Sequence, residues 1–276
     1  MNFYHIASFS GNVGDVVNHI GFYENIIKRE ATIVPLEIRR FYYNCGECKF
    51  DSQLAHDINA SDGLILGGGG FFDVRWERSD TGTTIDMSDE FIKSINVPVL
   101  VNAMGIHFNE SNDVIIKKFE CFIDTIQNKS NWMITVRNDG SLGRLLSKTD
   151  IRNEKIRVVP DNGFVFKNSD YDCTSNTIGI AISNDLFSEE YNVGLSSEMF
   201  FDEVAKVCKY LLNSGRELCF FLHAPQDIKT LSDLESKLGN GLFRQKIKVA
   251  PYDVYTETGA YTYNELYGKC RFVINM

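Results

Sequence analysis

No stretch of this 276-residue sequence approaches the roughly 18 consecutive apolar residues that a membrane-crossing helix needs. The opening "MNFYHIASFSGNVGD" lacks a basic segment followed by an apolar one, so no secretory leader is expected there. Positive charge is in short supply. Lys and Arg number 28 against 37 Asp and Glu, a net charge of -9. That excludes a general nucleic-acid binder, which presents a basic face, but leaves room for a local basic pocket that takes a small anion. The seven cysteines are odd in number and scattered. They fit reduced thiols in a cytoplasmic protein better than a disulfide framework. Cys45 and Cys48 form a lone CxxC with no further ligands at zinc spacing nearby, so no metal is expected at this pair. There is no low-complexity tract and no internal repeat. Apolar residues make up 43% and charged residues 24%, a composition that can bury a sizeable core.

What the chain does have is alternation. Short apolar runs such as "FYHIAS", "DGLILG", "VPVLVNAMG", "WMITVRN" and "IRVV" read as strands, and "ATIVPLEI" reads as a strand broken by Pro35. Helical spacing separates them. One helix is expected from about Val16 to Arg29, with Val17, Ile20, Phe22, Tyr23, Ile26 and Ile27 on its buried side. A second spans residues 113 to 127, with Val114, Ile115, Phe119, Phe122, Ile123 and Ile126. Residues 73 to 87 read as a polar loop. "KNSDYDCTSNT", residues 167 to 177, is polar and aperiodic and reads as a linker. Alternation then restarts with "TIGIAIS", a helix from about Met199 to Leu212 (Phe200, Val204, Val207, Cys208 and Leu211 on one face), "ELCFFLHA", a helix through "IKTLSDLESKLG", "KIKVAPY", a short helix "NELYGKC" and "FVINM". Strand–helix alternation implies parallel sheets with right-handed crossovers. The expected class is α/β, with two Rossmann-like domains facing a cleft, residues 1–168 and 176–276. The second has about four strands and reads as incomplete, because the strand closing at Met276 hands over to nothing.

Chemistry in such folds gathers at the carboxyl ends of strands. "LILGGGGFFD" ends a buried strand on Gly67, Gly68, Gly69 and Gly70. Glycine is kept where φ must be positive or where something approaches the backbone closely, so a tight turn and a ligand loop are both open. Gly68, Gly69, Gly70 and Phe71 are candidate contacts. "SGNVGD" turns at Gly11, Asn12 and Gly14 before a helix that starts near Asp15. Free amides at a helix N-terminus suit an anion, while Asp15 also reads as an N-cap. "NAMGIHF" ends a strand at Gly105 with His107 beyond it, a group that titrates near neutrality if exposed. "TVRNDGSLGRL" puts Arg137 at a strand end and Ser141 at the next helix start. A guanidinium offers two parallel donors to phosphate or carboxylate, or forms a surface salt bridge. In "VVPDNGF", Asp161 is a turn former or a general base. "CFFLHAPQD" ends a strand at His223, with Asp227 on the following loop. That pair could contact phosphate, move a proton or serve structure.

The motifs "GNVGDVVN", "LILGGGGFFD", "VLVNAMGI", "TVRNDGSLGRL", "VVPDNGF", "FFLHAPQD" and "YNELYGKCRFVINM", in this order and over nearly the whole chain, resemble the polysaccharide pyruvyl transferase family. The resemblance implies a two-domain architecture similar to GT-B sugar-modifying transferases. It implies a phosphoenolpyruvate donor, with no cofactor besides, and a saccharide acceptor in a surface polysaccharide or its lipid-linked precursor, with peripheral contact to lipid-linked sugars. Arg137 would hold the donor's anionic groups, and His223 would contact phosphate or transfer a proton. Glycines 67 to 70 with Gly11, Asn12, Gly14 and Asp15 would shape the acceptor side. The family pattern continues into an Arg-x-His stretch beyond the final strand, where this sequence stops. Two other readings stay open: a GT-B glycosyltransferase using a nucleotide sugar, and a truncated, non-catalytic relative.

Overall fold

A computed structural model describes residues 1–28, 30–108, 111–152, 154–167, 170–172, 174–183 and 196–275. The chain divides into two compact units. One comprises Met1–Phe9 and Asn18–Phe166, the other Ser10–Val17 and Lys167–Met276. The helix end expected at Arg29 and the strand end expected at Met276 lie outside the described residues, as do residues 168, 169 and 173 of the expected linker. Among the described residues no helix is long and apolar enough to cross a membrane.

The first unit carries β1 (Asn2–Ala7), β2 (Thr32–Glu37), β3 (Gly63–Gly67), β4 (Phe72–Asp73), β5 (Val99–Met104), β6 (Ile106–His107), β7 (Trp132–Arg137) and β8 (Ile156–Val159). Six of them form one sheet in the order β2-β1-β3-β5-β7-β8, and β4 pairs with β6 as a separate ribbon. Every pairing is parallel. All five residues of β3 are buried, the continuous burial of a central parallel strand covered on both faces. Pro35 does not break β2. It sits opposite His5 in register, and β2 is the edge strand, where a missing N–H costs the ladder nothing.

α1 (Val13–Gly21) passes from the second unit into the first at Asn18, and the first unit further carries α2 (Ser52–Asn59), α3 (Asp89–Ser94), α4 (Asp113–Asn128) and α5 (Ser141–Lys148). The first helix starts earlier than the sequence suggests and passes at Phe22–Ile26 into a π-turn. Ile26 therefore turns outward, 54% exposed. Asn112 caps α4 by accepting from the Ile115 amide at 3.0 Å. Val114, in that first turn, points to solvent, while Ile115, Phe119, Phe122, Ile123 and Ile126 form the buried face. The polar stretch 73–87 is not a solvated loop throughout. Ser79, Thr81 and Thr83 are buried and hydrogen-bonded in a hydroxyl chain that ends on the Ile85 carbonyl.

The second unit carries β9 (Thr177–Ala181), α6 (Ser197–Asn213), β10 (Glu217–Phe221), α7 (Asp227–Leu238), α8 (Asn240–Lys246), β11 (Ile247–Val249), α9 (Glu257–Gly268) and β12 (Phe272–Asn275). Its sheet is parallel in the order β11-β10-β9-β12. Phe201, Val204, Ala205 and Cys208 are the buried face of α6, and Val207 is exposed.

Strand order locates the switch points, where consecutive connections leave in opposite directions and a crevice opens. They fall between β1 and β3 in the first sheet and between β9 and β12 in the second. Below the first lies a buried imidazole. His5 Nε2–H donates to the Gly67 carbonyl at 2.9 Å, which leaves Nδ1 to accept the Tyr23 hydroxyl at 2.6 Å. His19 meets it edge-on, with ring centroids 5.5 Å apart, and bonds the Ser8 carbonyl through Nε2. Burial, then the neighbouring His19, push His5 down from 6.5 to about 3, against the opposing effect of the Gly67 bond. The folded protein thus holds His5 neutral while the unfolded chain protonates it. Its contribution to stability is complete above pH 6.5 and declines as pH falls toward 3. Urea titrations should show about 2 kcal/mol lost through this residue between about pH 7 and about pH 5. His5→Gln, which keeps a donor for Gly67, should flatten that dependence; an unchanged acid slope would contradict the assignment.

Candidate functional site

The first unit gathers polar groups at the carboxyl ends of β3, β5, β7 and β8. The key irregularity is in β5, whose register against β7 shifts between Val101 and Met104. Within that bulge Ala103 sits at φ 42°, a left-handed conformation that L side chains rarely adopt. The Thr135 hydroxyl clasps it, accepting from the Ala103 amide at 2.8 Å and donating to the Val101 carbonyl at 2.9 Å. A bulge re-aims the groups around it. Here the Ala103 carbonyl receives Arg137 Nε at 3.2 Å, and Asp161 Oδ2 lies 3.1 Å from the same nitrogen. The guanidinium is therefore oriented through Nε alone. Neither terminal nitrogen has a hydrogen-bond partner among the described residues, and the side chain is 23% exposed.

Asp161 takes the turn-forming role. Its Oδ1 accepts from the Gly163 amide at 2.8 Å, capping a 3-10 turn over Asn162–Val165, and from Asn18 Nδ2 at 2.9 Å. With Oδ2 on Arg137, both oxygens are engaged, and the carboxylate acts here as the holder of Arg137. Asn18 is buried and accepts in turn from Asn162 Nδ2 at 3.2 Å. Its oxygen lies 2.6 Å from where a Cβ on Gly68 would sit, and Gly68 has φ +99°, so only glycine fits. Gly68 donates to the Asn102 carbonyl at 2.8 Å. Asn102 is 5% exposed, and its Nδ2 has no hydrogen-bond partner among the described residues. Gly105 meets the Gly70 α-carbon so closely that a Cβ would lie 2.9 Å from it, and the Gly105 amide donates to the Gly69 carbonyl at 2.9 Å. His107 lies half-buried against Gly70. Phe71 folds beneath Gly69 into the core. Ser141 is fully buried. Its hydroxyl donates to Asp139 at 2.5 Å and accepts from the Ile106 amide and from Arg144, which leaves no face for a ligand. Burial opposes ionisation of Asp139, but the Ser141 bonds, with Arg144 and Arg137 nearby, outweigh it and lower its pKa.

The second unit holds a different cluster. The glycine turn expected with the first half lies here instead. Gly11, at φ +81°, donates to the Val254 carbonyl at 2.9 Å, and Val13 donates to the His223 carbonyl at 3.0 Å. Asn12, not Asp15, caps α1, its Oδ1 accepting from the Gly14 amide at 2.8 Å. Asp15 sits half-buried in the first turn. His223 follows β10. Its amide and that of Ala224 both donate to Asp227 Oδ2 at 2.9 Å, so the Asp227 carboxylate caps the chain before α7. The His223 ring is held by Tyr267, with Nε2 and the hydroxyl 2.5 Å apart. Burial lowers the imidazole pKa, opposed by the charge on Asp227.

Several of these groups escaped the sequence reading. Thr135 carries no local signal, because its partners lie across the sheet. Asn102 was legible as a polar residue inside the apolar run "VLVNAM". Asn18, Asn162 and Tyr267 look like ordinary helix and turn residues.

A family model described as polysaccharide pyruvyl transferase matches residues 12–276. No curated protein matches the chain in sequence. Among solved structures it is similar to UDP-GlcNAc 2-epimerase from Methanocaldococcus jannaschii. The identity is 12% and the TM-score 0.52, over 100% of this chain and 78% of that one. It is also similar to the S. aureus MnaA co-structure with UDP, 12% identical with a TM-score of 0.51, over 99% of this chain and 74% of that one. At such identity the likeness concerns the fold, which is that of GT-B glycosyltransferases and epimerases.

The Thr135 clasp is open to direct test. Thr135→Val keeps the shape and removes the hydroxyl, leaving the Ala103 amide unpaired inside the sheet. It should cost about 1–3 kcal/mol in urea unfolding, whereas Thr135→Ser, which keeps the hydroxyl, should cost only the lost methyl, about 1 kcal/mol. Equal stability of Thr135→Val and the parent would contradict the clasp.

Proposed function

Because the chain belongs to the polysaccharide pyruvyl transferase family, we propose that it moves the pyruvyl unit of phosphoenolpyruvate onto a saccharide of a surface polysaccharide or its lipid-linked precursor. Two sugar hydroxyls add at C2 of the donor, C3 gains a proton to become a methyl group, and inorganic phosphate leaves. The product is a pyruvate ketal, and atoms and charge balance without a redox partner. Such a donor carries a carboxylate and a phosphate. A protein of net charge -9 binds it only through local, pre-aimed donors.

The observation that carries this reading is Arg137. Its Nε is fixed by the Ala103 carbonyl and Asp161, and both terminal nitrogens remain available for a forked contact with an anionic group. We assign Arg137, in the first unit, to the donor's anionic groups, and His223, separately, to a phosphoryl contact of the second unit. Gly68, Gly69, Gly70 and His107, at the ends of β3 and β6, shape the acceptor side. The backbone turn of Gly11, Asn12 and Gly14 sits by the His223 carbonyl and is reassigned to the phosphate contact. The fold likeness to a UDP-bound structure makes a nucleotide-sugar donor the competing outcome.

Titration calorimetry with phosphoenolpyruvate separates the two. The native protein should bind it, and Arg137→Ala should weaken binding roughly 10- to 100-fold, the loss of charge-assisted bonds worth about 1.5–3 kcal/mol. Arg137→Lys should restore part of the loss, because an ammonium supplies charge without the fork. Binding of a UDP-sugar with no response to phosphoenolpyruvate would overturn the proposal.

A further inference from the structure

The family resemblance leaves two roles open for His223, phosphate contact or proton transfer, and the geometry of the second unit discriminates between them. We infer that Tyr267 fixes the His223 ring with its proton on Nδ1, so that this histidine presents a neutral N–H donor to a phosphoryl oxygen and does not serve as a base. The identity of the phosphoryl compound rests on the proposed function; the tautomer does not.

Tyr267 lies near the end of α9, and its hydroxyl is 2.5 Å from His223 Nε2. One of the two must donate. Of two neutral partners, a phenol is the stronger proton donor and an imidazole nitrogen the stronger acceptor, so the hydroxyl donates and Nε2 accepts. Both partners are neutral. Burial lowers the imidazole pKa, with Asp227 opposing, while burial pushes the Tyr267 phenol far above its ordinary range, helped by Tyr263, Cys270 and Cys219. With Nε2 as acceptor, the single ring proton resides on Nδ1.

The arrangement is rigid. Tyr267 stacks on Phe221 with centroids 4.0 Å apart and planes 19° from parallel. Tyr263, which also packs on Phe221 and contacts the His223 ring, is pinned by its own hydroxyl to the Leu222 carbonyl at 2.6 Å. The backbone of His223 is closed on both sides, its amide on Asp227 and its carbonyl on the Val13 amide. Among the described residues Nδ1 has no hydrogen-bond partner, and it is not shielded from solvent. The one unengaged polar atom of this residue is therefore an accessible N–H at the carboxyl end of β10. An acceptor oxygen of a phosphoryl group complements it, and a proton to be abstracted does not, because Nδ1 has no lone pair to take it. Tyr267 is a positioning residue: it acts on a ligand only through His223.

Long-range 1H–15N correlation spectra of the intact protein read the tautomer without any substitution, with His223→Gln identifying the ring signals. The native spectrum should show a protonated Nδ1 and an unprotonated Nε2. In Tyr267→Phe that preference should be lost while the melting temperature stays close to native, and affinity for inorganic phosphate should fall about 5- to 10-fold. A protonated Nε2 in the native protein, or a tautomer indifferent to Tyr267→Phe, would overturn the inference. Inorganic phosphate, phosphoenolpyruvate and UDP are titrated in parallel. A shift of the Nδ1 signal by phosphate and phosphoenolpyruvate supports both readings. A shift by UDP alone supports the phosphoryl contact and counts against the pyruvyl donor. A shift by none of the three overturns the contact.

Discussion

A single hydroxyl spanning two strands constrains much of the first unit. Thr135, on β7, closes the gap that the β5 bulge opens, and with that gap closed Ala103 is kept at a positive φ. A non-glycine residue in that region costs on the order of 1–3 kcal/mol and persists only where its surroundings over-determine it. The consequence is directional. The Ala103 carbonyl turns to meet Arg137 Nε, Asp161 joins from beyond β8, and the guanidinium is aimed before any ligand arrives. Preorganisation of this kind lowers the ordering cost of binding, because the side chain has already given up its freedom.

The second unit follows the same logic with different chemistry. Around His223 each backbone group already has a partner: Asp227 takes the amide, and the Val13 amide takes the carbonyl. Tyr267 takes one ring nitrogen. Satisfaction of the surrounding polar groups isolates the remaining atom and defines what it can do. In both units the available donors, the Arg137 terminal nitrogens and His223 Nδ1, sit at strand carboxyl ends, the edge at which parallel sheets receive ligands. For an acidic protein, donors held this way supply local complementarity that net charge cannot.

Much of this was legible in the sequence, and the limits have physical causes. Strand ends that stop on glycine, Arg137 after "WMITV" and His223 after "CFFL" are local patterns, and local patterns survive in one dimension. The element types followed from periodicity. α2 and α8 escaped because they are short and bury little: Ala55 and Ile58 in the first and no residue in the second. Pro35 misled because a proline's effect depends on whether its strand is an edge, which only the sheet order decides. The Asp15 cap reading failed by one turn, since Asn12 offers the same side-chain acceptor earlier. The union of Ser10–Val17 with the second unit joins residues more than two hundred positions apart, and no spacing rule reports that. The Thr135 clasp depends on a register shift, and Tyr267 on which face of α9 meets β10. Both are properties of packing.

A crystal structure of the protein with phosphoenolpyruvate bound tests the central claim most directly. The account predicts a carboxylate or phosphate of the donor on the terminal nitrogens of Arg137, with Nε still on the Ala103 carbonyl and Asp161 and the bulge unchanged. Donor density away from Arg137, with its terminal nitrogens turned onto a carboxylate of the protein, would contradict it.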